Sequence, residues 1–230
     1  VIPLVKNKIG ASQQELVNNS VQNLEYTFAD GFSKLTNPKR RKIAILNGNK
    51  QLEDKYIANF VKKLGEYYYI APFTLDSVAS NPQSTLKDIK GFDLIISAKP
   101  TEAFTEEEKL VLDQYTMSGG KSLWLIDAVA MEKDSLYNAT GTNYAVSRDL
   151  NLTDFFFKYG IRINPYMVST LYSAPITLAM GEGSQSQFQH LKWPYSPLAG
   201  SSSKHPIVNN LNLVRFDFEV GFGVWGLGFG

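Results

Sequence analysis

The apolar positions of this chain change period as they run along it. KIAILNG (residues 42–48) is a short run rich in β-branched residues. LEDKYIANFVKKLGEYY (52–68) then sets Tyr56, Ile57, Phe60, Val61 and Leu64 on one side at helical spacing. YIAPFTL (69–75) is a second strand, and Pro72 inside it predicts a place near a sheet edge, because proline cannot donate to a neighbour on both sides. GFDLIISAKP (91–100) and KSLWLIDAV (121–129) are near-continuous apolar runs of the kind buried on both faces of a parallel sheet. Between them Thr105 and Glu108 form a capping box, with Glu106 and Glu107 also at the positive end of the helix dipole, and Gly119-Gly120 stops the helix. Strands separated by helical segments imply βαβ crossovers, so the expected fold is a three-layer α/β sandwich with a mostly parallel sheet.

Ahead of this alternation, residues 11–35 space Leu16, Val17, Val21, Leu24, Phe28 and Phe32 at helical intervals, with a capping box at Ser12 and Glu15 and a stop at Asn37-Pro38. The stripe is read as core packing, with a lead-in from a membrane anchor or a dimer contact as the alternative. After Asp127 the pattern loosens. Residues 131–149 read as a polar excursion, and NLTDFFFKYG (151–160) as a short helix with Asn151 as cap and Gly160 as stop. Residues 161–169 form another strand. The remainder reads as strands at 173–181 and 213–220 joined by a Pro/Ser/Gly-rich loop, of a length that is often functional. The expected organisation is a helical lead-in at 1–38, an α/β domain at 39–220 and a tail at 221–230. That tail, GFGVWGLGFG, has the pattern of neither helix nor strand and is expected to be a remnant or a displaced segment.

Charge narrows the function classes. Of 230 residues, 23 are basic and 22 acidic, a formal net charge of +1, which makes no electrostatic case for nucleic acid or an anionic membrane as the main partner. The one basic cluster, Lys39-Arg40-Arg41-Lys42, is read as a solvated strand entry, with a binding patch as the alternative. Without cysteine there is no disulfide, thiolate metal site or cysteine nucleophile. No run approaches the roughly 20 apolar residues of a membrane span. The chain begins at Val1, as an internal fragment or processed form would.

Ligands of open α/β sheets bind outside the carboxyl ends of the strands. Here those ends carry Asn47, Gly48 and Asn49, then Lys99, Pro100 and Thr101, then Asp127. The turn at 46–50 lacks the glycine spacing of a dinucleotide or phosphate loop, so Gly48 is read as a turn glycine and no cofactor is expected. Asp127 is a candidate base or ligand group, but is more simply a carboxylate that holds a loop. His190 and His205, the two histidines, have no metal-ligand spacing, and no metal site is expected. Trp193 and Tyr195 in KWPYSP form an aromatic cluster that could stack on a sugar, dock a partner or weld the loop down. Asn18, Asn138 and Asn151 open N-x-[ST] tripeptides.

NSVQNLEYTFADGF, RKIAILNGN, LGEYYYIAPFTLDSVA, the whole of residues 93–129, SLYN and RDLNLTDFFFKYGIRIN resemble the GldG family of gliding-motility proteins of Bacteroidetes, almost continuously over residues 19–218. The resemblance implies a domain related to flavodoxin-like or class I glutamine amidotransferase-like folds, similar to one in an intraflagellar-transport protein. It also implies a periplasmic location anchored to the inner membrane by segments outside this sequence, with ABC permease and ATPase subunits as partners. Amidotransferase relatives keep a cysteine after a central strand, where this chain has Asp127-Ala128, so the catalytic residues do not carry over. The triplets Asp76-Ser77-Val78 and Asp134-Ser135-Leu136 resemble the O-glycosylation signal of that phylum. The expected function is non-enzymatic binding of a partner or ligand for an ABC-type complex. The alternatives are a solute or sugar receptor, and a degenerate hydrolase using Asp127 with His190 or His205.

Overall fold

The computed structural model describes residues 2, 4–5, 12–131, 142–180, 187–205, 208–209, 211–216 and 220–224, with side chains described up to 177 and over 187–216 in the later part. The parallel sheet is present. Strands β1 (Lys42–Asn47), β2 (Tyr69–Thr74), β3 (Leu94–Ala98) and β4 (Lys121–Leu125) lie in the order β2-β1-β3-β4, all parallel. Pro72 sits in β2 opposite Ile45, on an edge strand, where its missing N–H faces no partner.

Helix α3 (Asp54–Leu64) covers one face of the sheet, where Ile57 is buried with Ile43, Ile45, Ile96 and Ala98. Val61 and Leu64 pack against that cluster, whereas Tyr56 and Phe60 of the predicted stripe are exposed. On the other face lie α4 (Pro82–Ile89), α5 (Glu106–Met117) and α6 (Thr153–Lys158). Helix α4 is started by Asn81, whose Oδ1 accepts from the Ser84 N–H, with Pro82 in the first turn. The α5 capping box forms as expected: Thr105 Oγ1 accepts from Glu108 N, and Glu108 Oε2 accepts from Thr105 N.

The core of this second face is aromatic where β4 meets α6. The Trp124 ring lies 5.7 Å from Phe104, 5.7 Å from Phe155 and 5.3 Å from Phe156. Such tilted and edge-to-face pairs add about 0.5–1.5 kcal/mol each beyond their buried area. Strand β4 departs from expectation. It is an edge strand, and Leu123 and Leu125 are exposed; among the described residues the cluster under α3 draws on β1, β2 and β3 and includes none from β4.

The amino-terminal helix also differs. It is two helices, α1 (Gln13–Gln22) and α2 (Leu24–Thr36), divided at Asn23, with the Ser12–Glu15 capping box in place. Neither helix has a buried residue. Val17, Val21, Phe28, Phe32 and Leu35 are exposed, so the stripe does not pack into the core. An amphipathic period reports one apolar face; it does not report what covers that face.

Beyond the sheet, β5 (Val129–Ala130) pairs antiparallel with β6 (Val146–Ser147). Asn151 does not cap α6. The cap position is Leu152, and Asn151 adopts a left-handed backbone with φ 53°. Its side-chain amide donates instead to the Phe104 carbonyl at 2.9 Å and to Glu106 Oε1 at 2.9 Å. Strands β7 (Ile161–Met167), β8 (Ser173–Met180), β9 (Gln187–Ala199) and β10 (Val214–Arg215) follow.

Much of the expected long loop is the 13-residue strand β9, antiparallel to β8 and β10. Pro194 and Pro197 are accommodated where the β8–β9 register shifts between Ser173 and Pro175. The tail also contributes a strand that its pattern did not predict: β11 (Val220–Val224) pairs antiparallel with β7. Residues 225–230, the triplet at 134–136 and Asn138 lie outside the described residues.

Candidate functional site

The carboxyl ends of β1, β3 and β4 converge, as the parallel order requires, and the predicted residues there are bonded to one another. Gly48 turns the chain at φ 124°, and a Cβ in its place would stand 2.9 Å from Asp76 Oδ1. The Asn49 carbonyl accepts from the N–H groups of Thr101 at 3.0 Å and Glu102 at 3.1 Å, and the Thr101 hydroxyl donates to the Lys50 carbonyl at 3.0 Å. The loops after β1 and β3 are thereby clipped together.

Beneath this clip Asn49 is buried, and its Nδ2 donates to Glu108 Oε2 at 3.1 Å. Glu108 is buried as well, so one carboxylate both caps α5 and receives the amide of the β1 loop. Asn47 stands beside this clip in the wall of an open hollow of about 490 Å³, shared with Gly48, Gln51 and Asp54.

Lys99 is left-handed, at φ 49°. Its N–H donates to the Leu125 carbonyl at 2.8 Å, and its Nζ lies 3.3 Å from Asp127 Oδ2. Asp127 Oδ1 accepts from the Val129 N–H at 3.4 Å, a long contact that turns the chain into β5. Among the described residues the three non-glycine positions with positive φ are Lys50, Lys99 and Asn151, all at this end of the sheet. Backbone held in that region costs on the order of 1–3 kcal/mol per residue and collects at functional places.

The expected aromatic pair lies elsewhere. Trp193 and Tyr195 are on β9, their rings 5.7 Å apart in a T, and Trp193 packs on Val129, Met131 and Met167. Trp193 therefore welds β9 to the β5 region. His190, on β9, shares a hydrogen bond with Thr177 Oγ1 at 2.9 Å, and His205 accepts from the N–H groups of Val208 and Asn209 at its carbonyl. Asp127 is bonded to Lys99 and Val129 in this arrangement, and neither histidine is among its hydrogen-bond partners.

Two features of this end were not read from the sequence. One is the Asn49–Glu108 bond, between residues 59 positions apart. The other is the Lys109 network. Lys109 is buried, and burial opposes its charge, yet the hydrogen bonds it donates to Asp154 (2.8 Å) and Glu106 (2.9 Å) outweigh this and raise its pKa. The bond from Lys109 holds both carboxylates below their ordinary range. Only the capping-box glutamate hinted at either.

Residues 40–221 match the family described as an ABC-type uncharacterized transport system. The chain belongs to that family. The family is that of auxiliary components of ABC-type transport systems. A Borreliella burgdorferi relative, described as an uncharacterized protein, is 25% identical over 152 residues, which is 66% of this chain and 28% of the relative. The chain thus matches less than a third of that relative's length. A solved structure, the mmIFT52 N-terminal domain, superposes with a TM-score of 0.52 at 19% identity, covering 80% of this chain and 68% of its own. At that identity the likeness speaks for the fold. Among the described residues no helix of this family member is long and apolar enough to cross a membrane.

Proposed function

We propose that this chain is the periplasmic, non-enzymatic auxiliary component of an ABC-type transporter of the gliding-motility kind, anchored to the inner membrane in the full-length protein. It works by binding: the permease and ATPase subunits are the partners, and the carboxyl end of the parallel sheet is the contact region. The observation that carries the reading is the clipped strand end. Asn49, Thr101, Glu108, Lys99 and Asp127 spend their polar groups on one another, which gives a preformed surface instead of a reacting group poised over a cleft. The left-handed residues Lys50 and Lys99 fix its loops. The sheet order β2-β1-β3-β4 supports the flavodoxin-like reading of the fold, with the change of direction between β1 and β3 at this same end.

The test is co-purification of the membrane-anchored protein with its permease in mild detergent, compared between the natural chain and a Thr101→Arg, Lys50→Glu double variant. Recovery of the permease with the natural chain and its loss with the variant is expected. Failure to recover the permease with the natural chain would sink the proposal.

A further inference from the structure

The net charge of +1 conceals an uneven distribution. At the opposite end of the sheet from the clipped loops, a cleft of about 690 Å³ opens at the amino ends of β1, β3 and β4. Arg41, Lys90 and Lys121 reach it from three separate segments, all three residues exposed. Among the described residues none of these cations has an ion-pair partner within 4.0 Å. The one carboxylate in the lining is Asp93, whose Oδ2 accepts from the Lys42 N–H.

Below the cations the walls are apolar, formed by Ile43, Leu64, Tyr68 and Leu94. Tyr115 fixes the floor, its hydroxyl donating to the carbonyls of Phe92 (3.1 Å) and Lys121 (3.2 Å). Ile43, Leu94 and Lys121 are in register across three adjacent strands, so the backbone spans roughly 10 Å from first to last.

The helical lead-in arrives at the same place. Lys34 of α2 bonds Glu66 at 2.6 Å and lies over the Tyr67 ring at 5.0 Å, between Leu64 and Tyr68 of the cleft wall. Lys39 bonds the Gly65 carbonyl. Helix α2, whose Phe28, Phe32 and Leu35 are exposed, is thereby tied through Lys34 to the segment that forms this wall. An apolar helix face next to uncompensated cations is the combination that lies on an anionic lipid surface.

We infer that this end of the domain is a membrane-surface seat. The cleft formed by Arg41, Lys90 and Lys121 takes the phosphate of an anionic phospholipid, and the α2 face enters the headgroup boundary. Each cation near such a surface is worth about a fivefold change in partition, so the three together give on the order of a hundredfold.

The test is flotation of the full chain with vesicles of phosphatidylglycerol in phosphatidylcholine, against phosphatidylcholine alone. Binding only to the anionic vesicles is expected. The triple variant Arg41→Gln, Lys90→Gln, Lys121→Gln should lose on the order of a hundredfold, while Lys55→Gln, Lys192→Gln, Lys204→Gln, with the same charge removed elsewhere, keeps its partition. Equal loss in both variants, or equal binding to neutral vesicles, overturns the inference. So does saturable binding of inorganic phosphate or glycerol phosphate by a chain that ignores vesicles, which would make the ligand a soluble anion.

Should the triple variant fail to fold, the natural absence of cysteine gives a second readout. An environment-sensitive dye on Ser118→Cys, in the cleft lining, should shift with anionic vesicles, and the same dye on Ser80→Cys, in the loop after β2, should not. A shift at Ser80→Cys and none at Ser118→Cys overturns the seat. None of these outcomes depends on the permease.

Discussion

Replacing Asn49 tests whether the strand-end polar groups are there to hold the two loops. In Asn49→Ala two side-chain bonds disappear: the amide donor to Glu108 at 3.1 Å, and the acceptor for Gln51 Nε2 at 3.3 Å. The first is a bond to a buried carboxylate, of a class worth about 1.5–3 kcal/mol, and the second is a weaker, partly solvated one at about 0.5 kcal/mol. The backbone bonds from Thr101 and Glu102 to the Asn49 carbonyl survive, so the loss should total about 2–3.5 kcal/mol without unravelling the loop.

Asn49→Asp sharpens the test, because the shape is kept and a second carboxylate is set against Glu108. Two like charges 4 Å apart repel by roughly 4 kcal/mol at an effective dielectric near 20. In that variant the folded pair holds a proton more tightly than the unfolded chain. Its penalty is therefore small below the unfolded carboxyl range, near pH 4, and develops as the pH rises above it. Urea unfolding of the natural chain, Asn49→Ala and Asn49→Asp across pH 4 to 8 reads both effects. An Asn49→Ala change below about 0.5 kcal/mol, the surface-substitution range, would refute the structural role. So would an Asn49→Asp penalty that does not change with pH.

Gly120→Ala should be costly for a different reason. A Cβ there would stand 2.4 Å from the ring of Tyr115, which is itself buried and held by two carbonyls, so neither side can give way cheaply. A loss of about 1–3 kcal/mol in chemical denaturation is expected, and a neutral result would contradict the packing. Tyr159 is pushed up to about 12 by burial and by its 2.8 Å bond to Asp113. Its folded pKa lies above the unfolded value near 10, so its contribution is intact below pH 10 and fades as the pH rises through about 12. Burial also raises Tyr115, so spectrophotometric titration should show more than one late phenolate, of which the Tyr159 one moves to lower pH in Asp113→Asn; a late titration identical in the two proteins would count against the assignment.

The parallel sheet was legible because periodicity is a local property. The β-branched runs, the capping boxes at Ser12 and Thr105, the Gly119 stop and the edge proline Pro72 each act within a few residues, and each is where its pattern placed it. Helix α4 was not read from the sequence, because at eight residues it carries little periodic signal. Strand β9 was hidden by its prolines, which ordinarily mark loops and here sit at a register shift.

The tertiary structure decided coverage and convergence. An amphipathic helix reads the same whether its face is buried or bare, so only the placement of the other elements shows that, among the described residues, the apolar faces of α1 and α2 and Leu123 and Leu125 of β4 are exposed. Side chains far apart in the chain meet only through strand order and register. That is how Asn49 reaches Glu108, how Asp127 comes to hold Lys99, and how Arg41, Lys90 and Lys121 gather at one cleft in a chain whose charges sum to +1.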